Sequence, residues 1–176
     1  KLIGEHNKLN IMSAIACIRS VFPELSNLKI NNLKGINHRL EWVKNINGVN
    51  FYNDSKATNI DATITALKSF DKKNIFLIAG GDSKGQILVP LKKFIKKKVL
   101  GLYLIGRDAN IFRQNFGVID SLKITNHKLM KDAVELAYKD SQAGDIVLLS
   151  PACASYDMYK NYEERGDEYK SIVEDL

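Results

Sequence analysis

The sequence Ile75-Phe76-Leu77-Ile78-Ala79 runs directly into the loop Gly80-Gly81-Asp82-Ser83-Lys84-Gly85. A short, continuous apolar run that ends in glycines is typical of a strand buried on both faces of a parallel sheet. Further apolar runs occupy residues 100–105, 122–125 and 146–149. The sequence therefore predicts a set of core strands with apolar residues on both of their faces.

Helical patterns alternate with these strands, at residues 60–70, 88–98, 107–116, 128–140, 156–162 and 168–176. Such alternation favours a mostly parallel sheet with helices on both faces. Residues 40–46 and 49–52 flank Asn47-Gly48, a pair that readily adopts the positive φ angles of a type I′ turn. We therefore predict an α/β, Rossmann-like fold that begins with a β-hairpin.

The first 36 residues differ from the rest. Residues 7–22 and 26–33 have helical patterns with no strand to cover, and Gly35 then breaks the pattern. We therefore predict that residues 1–36 end a preceding domain and that residues 37–176 form the α/β domain. Lys1 is not an initiator methionine and no signal-peptide pattern follows it, so we expect the chain to begin inside a longer gene product.

Composition predicts a soluble, cytoplasmic protein. The chain is 45% apolar and 26% charged, no apolar run approaches the ~20 residues needed to cross a bilayer, and the two cysteines form no CxxC pair. Much of the net charge of +6 sits in lysines between residues 92 and 98, which alternate with apolar residues as on a solvated helix face. We therefore expect neither a membrane nor a nucleic acid as partner.

Several familiar sites are absent from the sequence. It contains no GxxxxGK(S/T) phosphate loop and no GxGxxG dinucleotide fingerprint. His6, His38 and His127 show no zinc-ligand spacing, so no metal site is predicted.

Polar segments follow the ends of the strands, at residues 53–59, 80–85, 106–108 and 150–155. Singly, each can be explained as a turn or a helix cap. Jointly they should share one edge of the sheet, because parallel sheets bind ligands at the carboxyl ends of their strands. Capping does not require Lys56, Lys84 and Arg107 to gather there, so the sequence predicts a cleft for an anionic small molecule.

Six segments in this chain occur in an order known from one protein family. They are His6-Asn7-Lys8-Leu9-Asn10, His38-Arg39-Leu40-Glu41, Asn53-Asp54-Ser55-Lys56-Ala57-Thr58-Asn59, Gly80-Gly81-Asp82-Ser83-Lys84, Leu149-Ser150-Pro151-Ala152-Cys153-Ala154-Ser155 and Asn161-Tyr162-Glu163-Glu164-Arg165-Gly166. Together they resemble the Mur ligase family over nearly the whole chain. The third and fifth segments are similar to those of its D-glutamate-adding branch.

The resemblance implies a three-domain enzyme of which this chain is the C-terminal part. Residues 1–36 would then be the last helices of the central ATP-binding domain, and residues 37–176 the amino-acid-binding domain. The implied reaction is the ATP-dependent addition of D-glutamate to UDP-N-acetylmuramoyl-L-alanine, through an acyl phosphate, in peptidoglycan precursor synthesis. ATP and Mg²⁺ would be bound mainly by the central domain, the enzyme would be a monomer, and this fragment would be inactive alone.

Matching positions imply which residues hold the amino acid. Lys84, the candidate catalytic residue, would pair with a carboxylate of D-glutamate. Thr58 and Ser155 would donate hydrogen bonds to the same ligand. Tyr162 would pack against the D-glutamate side chain, where the family typically has phenylalanine; its hydroxyl then needs a partner.

Other matching positions imply a nucleotide site. Asn10, Arg39 and Asp54 would contact the nucleotide, with Arg39 suited to phosphate and Asp54 to ribose hydroxyls. His38, a second candidate catalytic residue, would support the site from beside the interdomain hinge.

Two other interpretations remain open. The chain could belong to another Mur-type or folylpolyglutamate-type amino acid ligase. It could also be a non-catalytic module that binds an anion or a nucleotide.

Overall fold

The computed structural model describes residues 5–25, 35–71 and 74–176. Its strands are β1 (Glu41–Ile46), β2 (Val49–Asn53), β3 (Ile75–Gly80), β4 (Val99–Ile105), β5 (Lys123–Asn126) and β6 (Ile146–Leu149). Its helices are α1 (Glu5–Val21), α2 (Ile60–Lys68), α3 (Val89–Lys98), α4 (Ala109–Phe116), α5 (Met130–Asp140) and α6 (Tyr162–Glu174).

The strands form one sheet in the order β1-β2-β6-β3-β4-β5. The pair β1 and β2 is antiparallel, whereas β2, β6, β3, β4 and β5 are joined by parallel pairings. Asn47 and Gly48 between β1 and β2 have φ angles of 50° and 86°, as a type I′ turn requires. The predicted fold class and the predicted hairpin are confirmed.

The sheet is covered on both faces because its central strands alternate between two apolar clusters. In β3, Leu77 belongs to one cluster, whereas Phe76 and Ile78 belong to the other. The first cluster contains residues of α2, α3 and α4, and the second contains residues of α5 and α6. A strand with apolar residues on both faces therefore has helices to bury each of them, as the continuous run predicted.

One predicted helix is wrong. Residues 156–161 form turns and bends, and α6 begins only at Tyr162 and continues to Glu174 as a single helix. Asn161 determines this start, because its side-chain oxygen accepts a hydrogen bond from Glu164 N (2.8 Å), as an N-cap does. Tyr156 and Tyr159 are spaced as in a helix, but both precede the Asn161 cap and so lie outside α6.

The N-terminal helix predicted at residues 7–22 is confirmed as α1, and its apolar residues Leu9 and Met12 are exposed. The second helix, predicted at residues 26–33, lies outside the described residues. The boundary between residues 36 and 37 remains a prediction. Among the described helices, none has the length and apolar character that crossing a bilayer demands.

Candidate functional site

The polar segments meet at one edge of the sheet, as predicted. They follow β2, β6, β3 and β4, which are neighbours in the sheet. Backbone hydrogen bonds join them: Gly80 N donates to Pro151 O (2.9 Å), and Asp82 and Ala154 exchange two bonds of 3.0 Å. This edge is therefore a connected surface rather than a set of independent turns.

Two glycines allow the segments to approach this closely. Gly80 and Gly81 have φ angles of 115° and 126°, which side chains rarely permit. A Cβ atom on Gly80 would lie 2.1 Å from Ile105 O, and one on Gly81 would lie 2.4 Å from Ala154 O. The close packing of β3 against its neighbours at this edge therefore requires glycine at both positions.

A cleft of about 430 Å³ opens at this edge, and we call it the lysine cleft. Its wall includes Lys56, Thr58, Lys84, Ser155 and Tyr162. All four residues predicted to hold the amino acid thus line one cavity. Their roles remain predictions.

The lysine cleft is positively charged. Among the described residues, no carboxylate forms an ion pair with Lys56 or Lys84. The Lys84 ammonium group lies 5.6 Å from the centre of the exposed Tyr156 ring. Two ammonium groups without carboxylate partners favour an anionic ligand.

Arg107 does not add its charge to this cleft. Its guanidinium group pairs with Asp82 Oδ1 (2.6 Å) and Asp108 Oδ1 (3.5 Å). It lines a separate surface depression with His127 and Lys128. Arg107 therefore lies at the predicted edge of the sheet, but Asp82 and Asp108 pair with it and it does not line the lysine cleft.

Hydroxyl groups complete the wall of the lysine cleft. Ser155 is 3% exposed and Thr58 is half-buried, and within the described part of the chain neither hydroxyl donates to another protein atom. Asn59, the next residue after Thr58, caps α2 by accepting from Ala62 N (2.9 Å). The cap fixes the segment while the Thr58 hydroxyl stays available to a ligand.

A second cleft, of about 230 Å³, adjoins the first, and we call it the aspartate cleft. Asn10, Arg39 and Asp54, the three residues predicted to contact the nucleotide, all line it. Lys56 and Arg39 line both clefts and form part of the wall between them. The two predicted ligand sites are therefore adjacent.

The Asp54 carboxylate is already engaged within the protein. Its Oδ1 accepts from Leu40 N (3.0 Å) and its Oδ2 accepts from the Ser150 hydroxyl (2.8 Å). Burial raises the pKa of Asp54 to about 6, although both hydrogen bonds act in the opposite direction. Each carboxylate oxygen has a second lone pair, so Asp54 can still accept from a ligand.

Comparison with known proteins identifies the family. The family described as "Mur ligase, glutamate ligase domain" matches residues 38–153. This chain belongs to the Mur ligase family. The match includes the segments that supply Lys84, Asp54 and Thr58, and it ends just before Ser155.

The chain is similar to curated D-glutamate ligases of the family. The UDP-N-acetylmuramoylalanine–D-glutamate ligase of Caldicellulosiruptor saccharolyticus is 41% identical over 98% of this Mur ligase chain, which covers 38% of that protein. The corresponding ligase of Bdellovibrio bacteriovorus is also 41% identical over 98% of the chain, which covers 37% of it. The chain thus spans little more than a third of the length of these relatives.

Solved structures support the fold. The UDP-N-acetylmuramate–alanine ligase of Thermotoga maritima superimposes with a TM-score of 0.69 at 12% identity, over 99% of this chain and 39% of that one. The folylpolyglutamate synthase of Mycobacterium tuberculosis, solved with ADP and AMPPCP, superimposes with a TM-score of 0.64 at 16% identity, over 96% and 41% of the two chains. At these identities the likeness shows the shared fold of Mur ligase C-terminal domains.

His38 lies behind the cleft wall of this Mur ligase domain and lines neither cleft. It is buried, its Nδ1 lies 3.0 Å from Asn53 Nδ2, and its Nε2 lies 3.8 Å from Asp167 Oδ1. Its ring contacts the Tyr162 ring edge-on, with 5.9 Å between centroids. In this position the His38 ring packs against Tyr162 and does not face a ligand in either cleft.

Sequence reasoning assigned no role to Arg165. This residue is 1% exposed, and its guanidinium group donates to Ser55 Oγ (3.0 Å), Ser55 O (2.7 Å) and Cys153 O (3.1 Å). It therefore joins α6 to the segments that carry Thr58 and Ser155. The only signal in the sequence was its place in the motif of residues 161–166.

Proposed function

We propose that this chain is the C-terminal, amino-acid-binding part of an ATP-dependent ligase that adds D-glutamate to UDP-N-acetylmuramoyl-L-alanine. The lysine cleft carries this proposal, because it combines two hydroxyls with two ammonium groups, and no carboxylate of residues 5–25, 35–71 and 74–176 forms an ion pair with either ammonium group. D-Glutamate presents two carboxylates, which such a set of donors suits. The 41% identity to D-glutamate ligases over nearly the whole chain supports the same substrate.

The proposed enzyme has further domains. Residues 1–36 would end a central domain that supplies the phosphate loop and binds most of ATP and Mg²⁺, and residues 37–176 would be the C-terminal domain. The family match begins at residue 38, next to this boundary. We further propose that the enzyme acts as a cytoplasmic monomer on small-molecule substrates.

The chemistry assigned to this chain is positioning. ATP transfers its γ-phosphoryl group to the substrate carboxylate, which releases ADP and forms an acyl phosphate. The neutral amine of D-glutamate then attacks the acyl carbon, loses a proton and forms the amide as inorganic phosphate leaves. Lys84, Thr58 and Ser155 would hold the carboxylates of D-glutamate so that its amine points towards the acyl phosphate. Holding two reactants in the attack geometry accelerates a reaction without any new covalent chemistry.

The adjoining aspartate cleft would place the nucleotide beside the amino acid. Arg39 is suited to a phosphate group, and Asp54 and Asn10 to ribose or base groups. Because Arg39 and Lys56 form part of both walls, cations stand where the two anionic ligands would come closest. Such cations offset the repulsion between the ligands and stabilise charge that develops during transfer.

An amino acid panel tests the proposal. We expect the full-length ligase, expressed with its upstream reading frame, to release phosphate with UDP-N-acetylmuramoyl-L-alanine, ATP and D-glutamate. Turnover with D-aspartate should be at least about 10-fold slower, because one methylene is missing. The 176-residue chain alone should release none, because its sequence lacks the phosphate loop.

Each alternative gives a different result in this assay. Preference for another amino acid would identify another ligase of the family. Nucleotide binding without turnover for any amino acid would indicate a non-catalytic module. Robust turnover by the 176-residue chain alone would refute its assignment as a fragment.

A further inference from the structure

The Lys56 side chain could extend into either of two clefts, because Lys56 lines both the lysine cleft and the aspartate cleft. A lysine ammonium group sits at the end of a flexible four-carbon side chain, so the position of the backbone alone does not determine where the ammonium group lies. An interaction with a neighbouring group must therefore determine which of the two clefts holds the Lys56 ammonium group.

The Tyr162 hydroxyl makes this selection. Lys56 Nζ donates to the Tyr162 hydroxyl oxygen at 2.8 Å, and it lies 4.3 Å from the centre of the same ring. Tyr162 lines the lysine cleft and is absent from the wall of the aspartate cleft. The bond therefore places the ammonium group on the lysine-cleft side.

Tyr162 is itself held firmly enough to act as an anchor. It is the first residue of α6, directly after the Asn161 cap, and its carbonyl accepts from the Ser55 hydroxyl (2.7 Å). Its ring packs edge-on against the buried His38 ring. The Tyr162 hydroxyl, and to a lesser degree the Lys56 ammonium group, lower the pKa of the neighbouring Glu163 carboxyl below its ordinary value.

We propose that the Tyr162 hydroxyl is a positioning group that holds the Lys56 ammonium group in the lysine cleft, where it adds a second cation for D-glutamate. This inference rests on the proposed function. Phenylalanine at this position would fill the same space but leave the ammonium group without this partner. The hydroxyl itself is neutral, so it orients the ammonium group without forming an ion pair with it.

Substituting Tyr162→Phe in the full-length ligase tests the inference. We expect the KM for D-glutamate to rise about fivefold, which corresponds to about 1 kcal/mol. The KM for ATP and the kcat should stay within about twofold, because the lost interaction binds D-glutamate equally in the ground state and the transition state. Tyr159→Phe is the matched control: it removes a hydroxyl from a partly buried tyrosine outside both clefts and should change none of these values.

A double-mutant cycle with Lys56→Met separates positioning from a structural role. If the hydroxyl acts through the ammonium group, Tyr162→Phe will add no further rise in the KM for D-glutamate once Lys56 is methionine. A second fivefold rise, an unchanged KM in the single variant, or equal rises in both KM values would overturn the inference. Failure of the proposed function is distinguishable, because the unmodified ligase would then show no turnover with D-glutamate.

Discussion

Replacing Lys84 with methionine in the full-length ligase will raise the KM for D-glutamate about 100-fold. Lys84 is exposed at the mouth of the lysine cleft, and no carboxylate in the described part of the chain pairs with it. Bound D-glutamate would cover the Lys84 ammonium group, and truncating one partner of a buried charge pair costs about 2–5 kcal/mol. A 100-fold change corresponds to about 2.7 kcal/mol, and methionine retains the apolar stem.

Lys96→Met is the control for this variant. Lys96 is an exposed residue of α3 that lines neither the lysine cleft nor the aspartate cleft. Its removal lowers the net charge by the same amount, so a general electrostatic effect would appear in both variants. If Lys84→Met leaves the KM and the kcat unchanged, Lys84 does not belong to the site.

Replacing Arg165 with methionine will lower the free energy of unfolding of the chain by about 3 kcal/mol. The change leaves the carbonyls of Ser55 and Cys153 without their donor, and each unsatisfied buried acceptor costs about 1–3 kcal/mol. Burial also lowers the pKa of Arg165 to about 10, so removing the charge offsets part of that loss. Urea denaturation of the two proteins at neutral pH measures the difference.

Arg113→Met provides the comparison for Arg165→Met. Arg113 also donates to a backbone carbonyl, Ile124 O (3.0 Å), and to Asn126 Oδ1 (3.1 Å), but it is exposed. Water can replace these bonds, so we expect a loss below about 1 kcal/mol. If both variants lose the same free energy of unfolding, the buried hydrogen bonds of Arg165 stabilise the fold no more than the exposed ones of Arg113.

Patterns that depend on neighbouring residues were predictable from the sequence. The apolar run of β3 indicated a strand covered on both faces, and Asn47-Gly48 indicated the hairpin. The edge at which the polar segments meet was also predictable, because the carboxyl ends of parallel strands coincide. Each inference needs only local chemistry and one rule about parallel sheets.

Features that depend on distant contacts were not predictable. Lys56 and Tyr162 are 106 positions apart, and nothing local indicates their hydrogen bond. Arg165 is a buried residue of α6, whereas most arginines lie at the protein surface. The helix predicted at residues 156–162 was wrong for a local reason instead, because Asn161 caps α6 and the helix begins only at Tyr162.

The location of the amino acid tests the central claim most directly. A crystal structure of the full-length ligase with D-glutamate bound will show it in the lysine cleft. We predict carboxylate oxygens about 3 Å from Lys84 Nζ and from the hydroxyls of Thr58 and Ser155, a normal hydrogen-bond distance. D-Glutamate bound elsewhere, for example in the depression beside Arg107 and His127, would contradict the account.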